Sequence, residues 1–387
     1  MSRRKVVVTG IGALGAPGIG MDDLWKGLHH DPDPAPRLIE NWDPEPWIPL
    51  RESRRLDRFT QFALVAADEA ITQARFEAED LTRVAVAVAT GIGGLESLEN
   101  LIHGSEADQP RVSPFSIPMM MANAAAAAIS IKYGYSGQAS TPVVACAAGA
   151  QSVLDGLRQI EWGYADAVIA GGAEAAARIP AREGFKSARA LSPSGFARPF
   201  DVDRDGFVMG EGAAMLVLEE EEAARARGAV PLARVLGGAS TADAHHITAP
   251  HPKGEGAERA VRLALEDSGL GPEQVGYINA HGTGTDLNDR TEGSVISRVF
   301  GDAQPPISSI KGTTGHCLGA SGSIEAAVAV DAIRRRAIPP NTGMHTQDPD
   351  IPLSDIVTES RTWEPAAVIS NSFGFGGHNT VLVFGPA

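Results

Sequence analysis

The chain reads PVVACAAGAQSVLDGLRQIEWGYADAVIAGG from residue 142 to residue 172, and this stretch gives the first indication of the fold. The β-branched run at 142–145 predicts a strand that ends at Cys146, and residues 147–162 are compatible with a helix. A second β-rich run at 165–170 ends in two glycines. Strands that alternate with helices are typical of α/β proteins, in which parallel strands place ligands at their carboxyl ends. We therefore expect Cys146 to lie at such a site.

The same alternation recurs along the rest of the chain. Further strands are predicted at 5–9, 84–88, 215–218, 275–280, 307–310, 367–370 and 380–384, and further helices at 57–74, 219–227 and 319–336. The proline-rich stretch 31–49 predicts a surface loop. Several strands end in glycine-rich loops, and the pattern begins again after Pro231. This predicts two similar halves, 1–230 and 231–387, although there is no fixed-period repeat.

The composition is that of a packed globular protein. The 387 residues are 43% hydrophobic and 21% charged, which is too apolar for disorder. Two cysteines cannot form a disulfide framework or a cysteine-rich zinc site, so we expect free thiols, no metal and a cytoplasmic setting. The most apolar stretch, 116–131, is too short to span a membrane. The net charge of −15 argues against nucleic-acid binding, so neither a membrane nor a nucleic acid is expected as a partner.

Residues 10–15, Gly-Ile-Gly-Ala-Leu-Gly, match the G-x-G-x-x-G pattern of dinucleotide-binding proteins. An NAD-dependent oxidoreductase is therefore an alternative. In such enzymes a helix begins inside the pattern, so that its N-terminus meets the pyrophosphate. Here Pro17, Gly18 and Gly20 keep the chain in a loop, and the proline-rich stretch 31–49 removes the strand that should carry a ribose-binding acid. Both features count against this alternative.

Cys146 is a candidate nucleophile. At the start of a helix, free N–H groups and the helix dipole stabilise a thiolate, so we expect a lowered pKa for this thiol. Small neighbours at 145 and 147–149 leave room for an acyl group to approach the backbone. A free cysteine is also often a small buried hydrophobe, and this segment alone leaves both interpretations open. Cys317 lies in a stretch rich in alanine and glycine and is expected to pack.

Two histidines and a lysine follow predicted strands in the second half. His281 opens the segment His-Gly-Thr-Gly-Thr, and His316 closes the segment Lys-Gly-Thr-Thr-Gly-His that begins at Lys311. Two imidazoles near one thiolate can bind an enolate oxygen, accept a proton or activate a water. Lys311 can fix the local electrostatics if it pairs with an acid such as Glu292. Each histidine taken alone is more often a structural hydrogen-bonding residue.

Together these segments resemble the β-ketoacyl-acyl carrier protein synthase family of the thiolase superfamily, in its elongating Cys-His-His branch, over essentially the whole chain. The motifs that carry the resemblance are VACAAG at 144–149, RPFDVDRDGFVMGEG at 198–212, DAHHITAP at 243–250, HGTGT at 281–285, KGTTGH at 311–316 and NSFGFGG at 371–377. The resemblance implies a thiolase fold, a five-layer αβαβα body whose two halves carry the nucleophile and the His/Lys/His group. It also implies a dimer, formed with a second copy or with a ketosynthase-like partner.

The resemblance further implies a role for each matched residue. Cys146 would take an acyl group from an acyl carrier protein as a thioester, so no cofactor is needed beyond the carrier's phosphopantetheine. Malonyl-acyl carrier protein would then lose its carboxylate, with His281 and His316 stabilising the enolate that attacks the thioester. Lys311 and Glu292 match a supporting ion pair.

Further matched positions complete the expected site. The main-chain N–H groups of Cys146 and Phe375 would form the oxyanion hole, and Phe375 matches a gating residue. Substrate-binding positions are matched by Ile92, Ser116, Thr283, Thr285 and Phe373. Carrier-docking positions are matched by Arg189 and by Arg54, Arg55 and Arg58, which fall on one predicted helical segment.

Departures from the family pattern concern the pathway and leave alternatives open. Ser116 stands where an aromatic residue is common, and Asn288-Asp-Arg is closer to aromatic and polyene polyketide ketosynthases than to housekeeping enzymes. Type II polyketide and fatty-acid systems therefore both remain open. Cys146 argues against a cysteine-less chain-length factor, His316 against an initiating Cys-His-Asn synthase, and 373–379, which holds no cysteine, against a thiolase. Acyl transfer to an oxygen or nitrogen nucleophile remains an alternative.

Overall fold

The computed structural model describes residues 3–30, 34–105 and 112–387. Its strands are β1 (Val6–Gly15), β2 (Gly18–Ile19), β3 (Val84–Ala89), β4 (Ala139–Ser140), β5 (Ala167–Glu174), β6 (Gly212–Glu220), β7 (Ala233–Ala242), β8 (Val275–Asn279), β9 (Ile307–Ser308), β10 (Ala337–Ile338), β11 (Arg361–Thr362), β12 (Ala367–Gly374) and β13 (His378–Gly385). Its helices are α1 (Met21–Gly27), α2 (Leu50–Ser53), α3 (Arg58–Ala74), α4 (Leu95–Ser105), α5 (Ser116–Met120), α6 (Ala124–Tyr133), α7 (Ala148–Glu161), α8 (Ile179–Ser187), α9 (Glu221–Ala226), α10 (Glu255–Ser268), α11 (Asp286–Phe300), α12 (Lys311–Thr314) and α13 (Ser321–Arg335).

Ten of these strands follow one path of hydrogen-bonded neighbours, β4-β3-β5-β6-β1-β7-β13-β12-β8-β9. From β4 to β1 the successive pairings are parallel, parallel, antiparallel and antiparallel. From β9 to β7 the same four pairings recur in the same order. The two halves therefore repeat one mixed topology, and β1 joins them by pairing with β7 at Val6–Val8. The expected boundary after residue 230 falls between α9 and β7.

Helices α7 and α13 form a central layer between strands of the two halves. They pack against each other and contact β5, β6 and β1 of the first half and β13 of the second. Helices α3 and α6 cover the outer face of the first half, and α10 and α11 lie outside the second. These contacts give the αβαβα order. Residues 321–333 of α13 are all buried, as expected for a helix surrounded by protein on every side.

Strand β1 runs through the whole G-x-G-x-x-G segment instead of ending at residue 9 as predicted. Two of its glycines allow close packing against α3. A side chain at Gly10 would overlap the main-chain oxygen of Ala70, and one at Gly12 would overlap that of Ala66. The helix that a dinucleotide site requires does not begin inside the segment, so the oxidoreductase alternative is wrong.

The strand predicted at 142–145 is also wrong. The edge strand β4 covers Ala139–Ser140 and pairs with β3, after which the chain turns away from the sheet. A short 3₁₀ turn at Ala145–Ala147 then leads into α7. The loop predicted at 31–49 is confirmed for residues 34–49, which hold neither helix nor strand apart from a bridge at Arg37. Residues 31–33 lie outside the described residues.

Within the described ranges, no helix is both long and apolar enough to cross a membrane.

Candidate active site

Cys146 sits at the sharp turn that leads into α7. The preceding residue, Ala145, has a φ of +49°, a left-handed conformation that an alanine adopts only when its surroundings enforce it. The main-chain N–H groups of Phe375 and of Cys146 itself hydrogen bond to the thiol and lower its pKa, as does the charge of Lys311. Burial acts more strongly and raises the pKa of the Cys146 thiol to about 11. The expectation of a lowered thiol pKa is therefore wrong, because desolvation outweighs the helix terminus.

The thiol lines a cavity of about 440 Å³ to which both halves of the chain contribute. Nine of the predicted catalytic, substrate-binding and docking residues line it: Ile92, Cys146, Arg189, His281, Thr283, Thr285, His316, Phe373 and Phe375. The expected room around Cys146 is found only on the side of Ala145, which also lines the cavity. Gly149 instead packs against the start of α13, where a side chain would come within 2.5 Å of the main-chain nitrogen of Ser323.

His281 and His316 face each other in this cavity. Their ring centroids are 5.5 Å apart and their planes are nearly perpendicular, and both residues are buried. Burial, reinforced by the charge of Lys311, lowers the pKa of each imidazole well below 6.5. Both rings are therefore neutral at neutral pH.

The second contact of each ring fixes its orientation. The Lys311 ammonium lies 3.3 Å from Nδ1 of His281 and, because an ammonium only donates, Nδ1 is the acceptor. The ring proton of His281 is then on Nε2. Nδ1 of His316 lies 2.9 Å from the hydroxyl of Ser321, at the start of α13. Phe207 packs edge-on against His316 with centroids 5.2 Å apart.

The expected ion pair between Lys311 and Glu292 is wrong. The buried Lys311 ammonium forms its ion pair with Glu325 of α13 and also donates to the main-chain oxygen of His281 at 2.6 Å. Glu292 instead accepts the main-chain N–H groups of His281 and Gly282, at 2.9 and 2.8 Å. Glu292 thus holds the loop that carries His281, while Glu325 neutralises the lysine.

The loop that contains Thr283 and Thr285 is fixed by a second buried acid. Asp289 accepts the main-chain N–H of Thr283 at 3.1 Å and that of Phe200 at 2.8 Å. Burial raises the pKa of Asp289 to about 6. The hydroxyl groups of Thr283 and Thr285 lie 2.8 Å apart at the cavity wall, where they can bind a polar arm.

Aromatic residues close the cavity around the histidines. Phe373, at the end of β12, packs against His281 with centroids 5.9 Å apart. Phe375 lies in the following 3₁₀ turn, and its ring is 6.1 Å from that of Phe185 on α8. Ser116 is buried at the start of α5, outside the set of residues that lines this cavity. Its role in acyl binding stays a prediction.

The arginines predicted for docking fall into two groups. Arg54 and Arg55 are exposed in the turn between α2 and α3, so the prediction that they share one helix with Arg58 is wrong. Arg58 begins α3 and is held by the buried Glu211, with Nε 3.1 Å from a carboxylate oxygen. Arg189 is exposed at the cavity.

Sequence reasoning missed three residues of the site, Glu174, Phe207 and Glu325. Glu325 is an acid within a run of small and apolar residues in α13, and Glu174 ends the apolar strand β5. An isolated carboxylate in an otherwise apolar element was the available signal for both. Phe207 belongs to the motif 198–212, and only the fold brings it against His316.

Comparison with known proteins agrees with this geometry. Residues 36–224 match the model of the beta-ketoacyl synthase N-terminal domain, and residues 232–345 match that of the C-terminal domain. A 3-oxoacyl-[acyl-carrier-protein] synthase 2 from Synechocystis sp. is 43% identical over 413 residues, which covers 99% of this chain and 98% of the relative.

Solved structures of ketosynthases superpose on the entire chain. The ishigamide ketosynthase/chain length factor has a TM-score of 0.92 at 34% identity, and both chains are covered completely. A type II polyketide acyl-carrier protein in complex with its hexaketide-bound ketosynthase has a TM-score of 0.90 at 29% identity, again with complete coverage of both chains. Taken with the two matched domains, these likenesses show that the chain belongs to the β-ketoacyl synthase family of condensing enzymes.

Proposed function

We propose that this chain joins an acyl group held on Cys146 to the α-carbon of a malonyl group delivered by an acyl carrier protein, in a type II polyketide or fatty-acid system. The observation that carries the proposal is the shared cavity, in which one thiol lies with two neutral, buried imidazoles. An acyl carrier protein is part of the name of one relative, and another is bound to the ketosynthase in one of the similar structures. Both observations support an acyl carrier protein as the carrier.

The proposed reaction has two steps. First, the Cys146 sulfur forms a thioester with the acyl group, while the carrier thiol leaves with the proton of Cys146. Second, the bond between the malonyl α-carbon and its carboxylate breaks and releases CO₂, and its electron pair forms an enolate. That enolate attacks the thioester, a carbon–carbon bond forms, and the sulfur leaves and takes up one proton. No cofactor enters this balance.

The proposed role of each group follows from its surroundings. Because the pKa of the free thiol is about 11, a neutral imidazole has to accept the thiol proton as the thioester forms. The N–H groups of Cys146 and Phe375 already point at the sulfur, so they lie beside the carbonyl carbon that the sulfur attacks and can donate to its oxygen as that oxygen becomes an oxyanion. The Nε2–H of His281 supplies a donor for the enolate oxygen, with His316 as the second imidazole.

Mass spectrometry tests the chemistry. Purified enzyme is mixed with acyl-carrier and malonyl-carrier substrates, and both the protein and the products are weighed. Wild type should acquire the acyl mass and release a β-ketoacyl product, Cys146→Ala should do neither, and Cys317→Ala should match wild type because that thiol is buried beside Thr314. An acylated wild type that releases no β-ketoacyl product with any chain length would contradict the proposal and favour transfer to an oxygen or nitrogen nucleophile.

The proposed carrier contact rests on three exposed arginines, of which Arg189 lines the cavity. Acyl carrier proteins are acidic, and this chain carries a net charge of −15, so a local basic surface is needed to oppose the overall repulsion. Arg54, Arg55 and Arg189 are available for it, whereas Arg58 is committed to Glu211. Arg55 is additionally positioned over the Phe115 ring at 4.6 Å.

Charge reversal tests this contact. Arg55→Glu should raise the KM for carrier-linked substrates about 10-fold or more and leave kcat nearly unchanged, because rim charges act mainly on association. Lys5→Glu makes the same charge change in an exposed residue that precedes β1 and does not line the cavity, and it should leave the KM unchanged. Equal KM values for wild type and Arg55→Glu would refute the docking role.

The remaining parts of the proposal concern assembly and compartment. A ketosynthase-like second subunit is proposed, either another copy or a distinct partner, since the matched structures include ketosynthase/chain length factor pairs. Native mass spectrometry of the chain expressed alone distinguishes a homodimer from a chain that needs a partner.

A cytoplasmic setting is proposed from the two free cysteines.

A further inference from the structure

The strand β5 ends in an acid that the proposed mechanism does not use. Glu174 is fully buried, and its largest stabilising contacts are hydrogen bonds from main-chain N–H groups and from the hydroxyl of Thr90. One carboxylate oxygen accepts the main-chain N–H groups of Gly91, at 2.6 Å, and of Gly319, at 3.1 Å. The other lies 3.1 Å from the hydroxyl of Thr90, which in turn accepts the N–H of Gly93.

These bonds join two segments that line the cavity from different halves of the chain. Gly91 and Ile92 form part of the wall on one side, and Leu318, two residues after His316, forms part of it on the other. The two segments touch directly, since a side chain at Gly319 would overlap the main-chain nitrogen of Gly91. Leu318 has a φ of +44°, a strained conformation that needs such support.

Glu174 also acts on the nucleophile through space. Its charge raises the pKa of the Cys146 thiol, while Lys311 and two N–H groups lower it. It raises the pKa of Cys317 as well. Burial raises the pKa of Glu174 itself to about 7, and hydrogen bonds from N–H and hydroxyl donors offset that rise in part.

We propose that Glu174 is a positioning residue of the condensation site, which fixes the Ile92 wall and the His316 segment against each other and so sets which acyl chains Cys146 accepts. This inference rests on the proposed function for its substrate, an acyl chain in thioester linkage. Two properties follow from it. The hydrogen bonds of Glu174 determine acyl selectivity, and its charge determines how readily Cys146 reacts.

Two substitutions separate the hydrogen bonds from the charge. Glu174→Gln retains a carbonyl oxygen that can accept the N–H groups of Gly91 and Gly319, and its amide can donate to Thr90, so the link persists without the charge. Glu174→Ala removes the link. Glu69 offers a matched control because its carboxylate also accepts two main-chain N–H groups, those of Ala13 and Met21. It does not line the cavity.

The experiment uses the full-length enzyme and two readouts. Acylation of Cys146 by a series of acyl-carrier substrates of different chain length is followed by protein mass, and the alkylation rate of Cys146 by iodoacetamide is measured at pH 8. Glu174→Ala should lower kcat/KM for the preferred chain about 10- to 100-fold and flatten the preference among chain lengths, because displaced groups lose alignment. Glu69→Ala should keep the wild-type preference among chain lengths when the rates are divided by the amount of folded protein.

Glu174→Gln should keep the chain-length preference and raise the alkylation rate about 3- to 10-fold, because a lowered thiol pKa increases the thiolate fraction. Glu69→Gln should leave that rate unchanged. The proposal is overturned if Glu174→Gln alkylates at the wild-type rate, or if folded Glu174→Ala keeps the chain-length preference. If Glu174→Ala does not fold, the alkylation rate of Glu174→Gln decides whether the proposal stands. Alkylation does not depend on condensation, so failure of the proposed function is recognised separately, by wild type that yields no β-ketoacyl product.

Discussion

The buried ion pair between Lys311 and Glu325 allows a quantitative test of the site. Lys311→Met removes the ammonium and keeps an unbranched side chain of similar length, while Glu325 stays buried in α13. The side chains of the two partners are 1% and 2% exposed, so water cannot replace the lost charge. We expect Glu325 to respond by remaining protonated in the folded variant, since burial already raises its pKa and Lys311 opposes that rise.

The expected cost follows from the pH. Holding a carboxyl protonated at pH 7, when its pKa in the unfolded chain is 4.5, costs 1.36 kcal/mol for each of 2.5 pH units, so the loss relative to wild type is at most about 3.4 kcal/mol, because burial already raises the pKa of Glu325 in wild type. This lies within the range of about 3–5 kcal/mol for breaking a buried pair. The folded pKa of Glu325 in the variant lies above the unfolded value, so the variant loses stability as the pH rises. At pH 5 the same cost is only about 0.7 kcal/mol.

Urea unfolding followed by tryptophan fluorescence measures the free energy of unfolding at both pH values. Adding Glu325→Gln to Lys311→Met should restore most of the stability lost at pH 7 and abolish its pH dependence. Adding Glu292→Gln should restore nothing, because Glu292 binds the N–H groups of His281 and Gly282 instead of the lysine.

The same variants separate the effect of Lys311 on activity from its effect on stability. Without the ammonium, Nδ1 of His281 loses its donor and the ring proton is no longer fixed on Nε2. We expect the rate of malonyl decarboxylation to fall by about 10²–10³ in Lys311→Met and in the double variant alike. The reasoning is refuted if Glu292→Gln rescues stability better than Glu325→Gln, or if the stability deficit of Lys311→Met is the same at pH 5 and pH 7.

Three further outcomes are expected. Gly12→Ala should destabilise the chain by about 2–3 kcal/mol in urea unfolding, because the added methyl overlaps the Ala66 oxygen; a loss below about 0.5 kcal/mol would contradict the packing argument. Asp166→Asn should cost less than about 1 kcal/mol, because Arg83 lowers the Asp166 pKa to about 2 in an ion pair that is partly exposed. That contribution is present above pH 3.8 and disappears as the pH falls towards 2, so wild type and Asp166→Asn should converge in acid. Malonyl decarboxylation by acyl-loaded enzyme should stay constant from pH 7.5 to pH 6, since His316 is already neutral there; a loss with an apparent pKa near 6.5 would contradict this.

Much of the fold could be predicted because it follows local rules. The helix expected at 57–74 is α3, preceded by Asp57, whose side chain accepts the N–H of Phe59 as an N-cap. The strands expected at 84–88 and 367–370 are β3 and β12. Prediction failed where packing overrides local pattern. Strand β1 continues through Gly10 and Gly12 because α3 lies against them, and 142–145 leaves the sheet in spite of its β-branched residues.

The sequence likewise predicted the main residues of the candidate site but not all of their contacts. Loops of small residues after apolar strands indicated Cys146, His281 and His316, and the structure brings all three to one cavity. The pairing of Lys311 could not be derived, because Glu292 and Glu325 are both acids within reach along the sequence. Only the packing of α13 between the two halves selects Glu325.

The sequence by itself therefore determined the residue types of the site, its two-half organisation and its chemical class, because these depend on short motifs and on the alternation of strands and helices. Only the tertiary structure decided the electrostatics. A thiol at a helix start was expected to be acidic, yet burial raises its pKa to about 11. An arginine on a predicted docking helix proved to be held by Glu211. Desolvation and charge pairing depend on what surrounds a group in three dimensions, and residues from distant parts of the chain supply those surroundings.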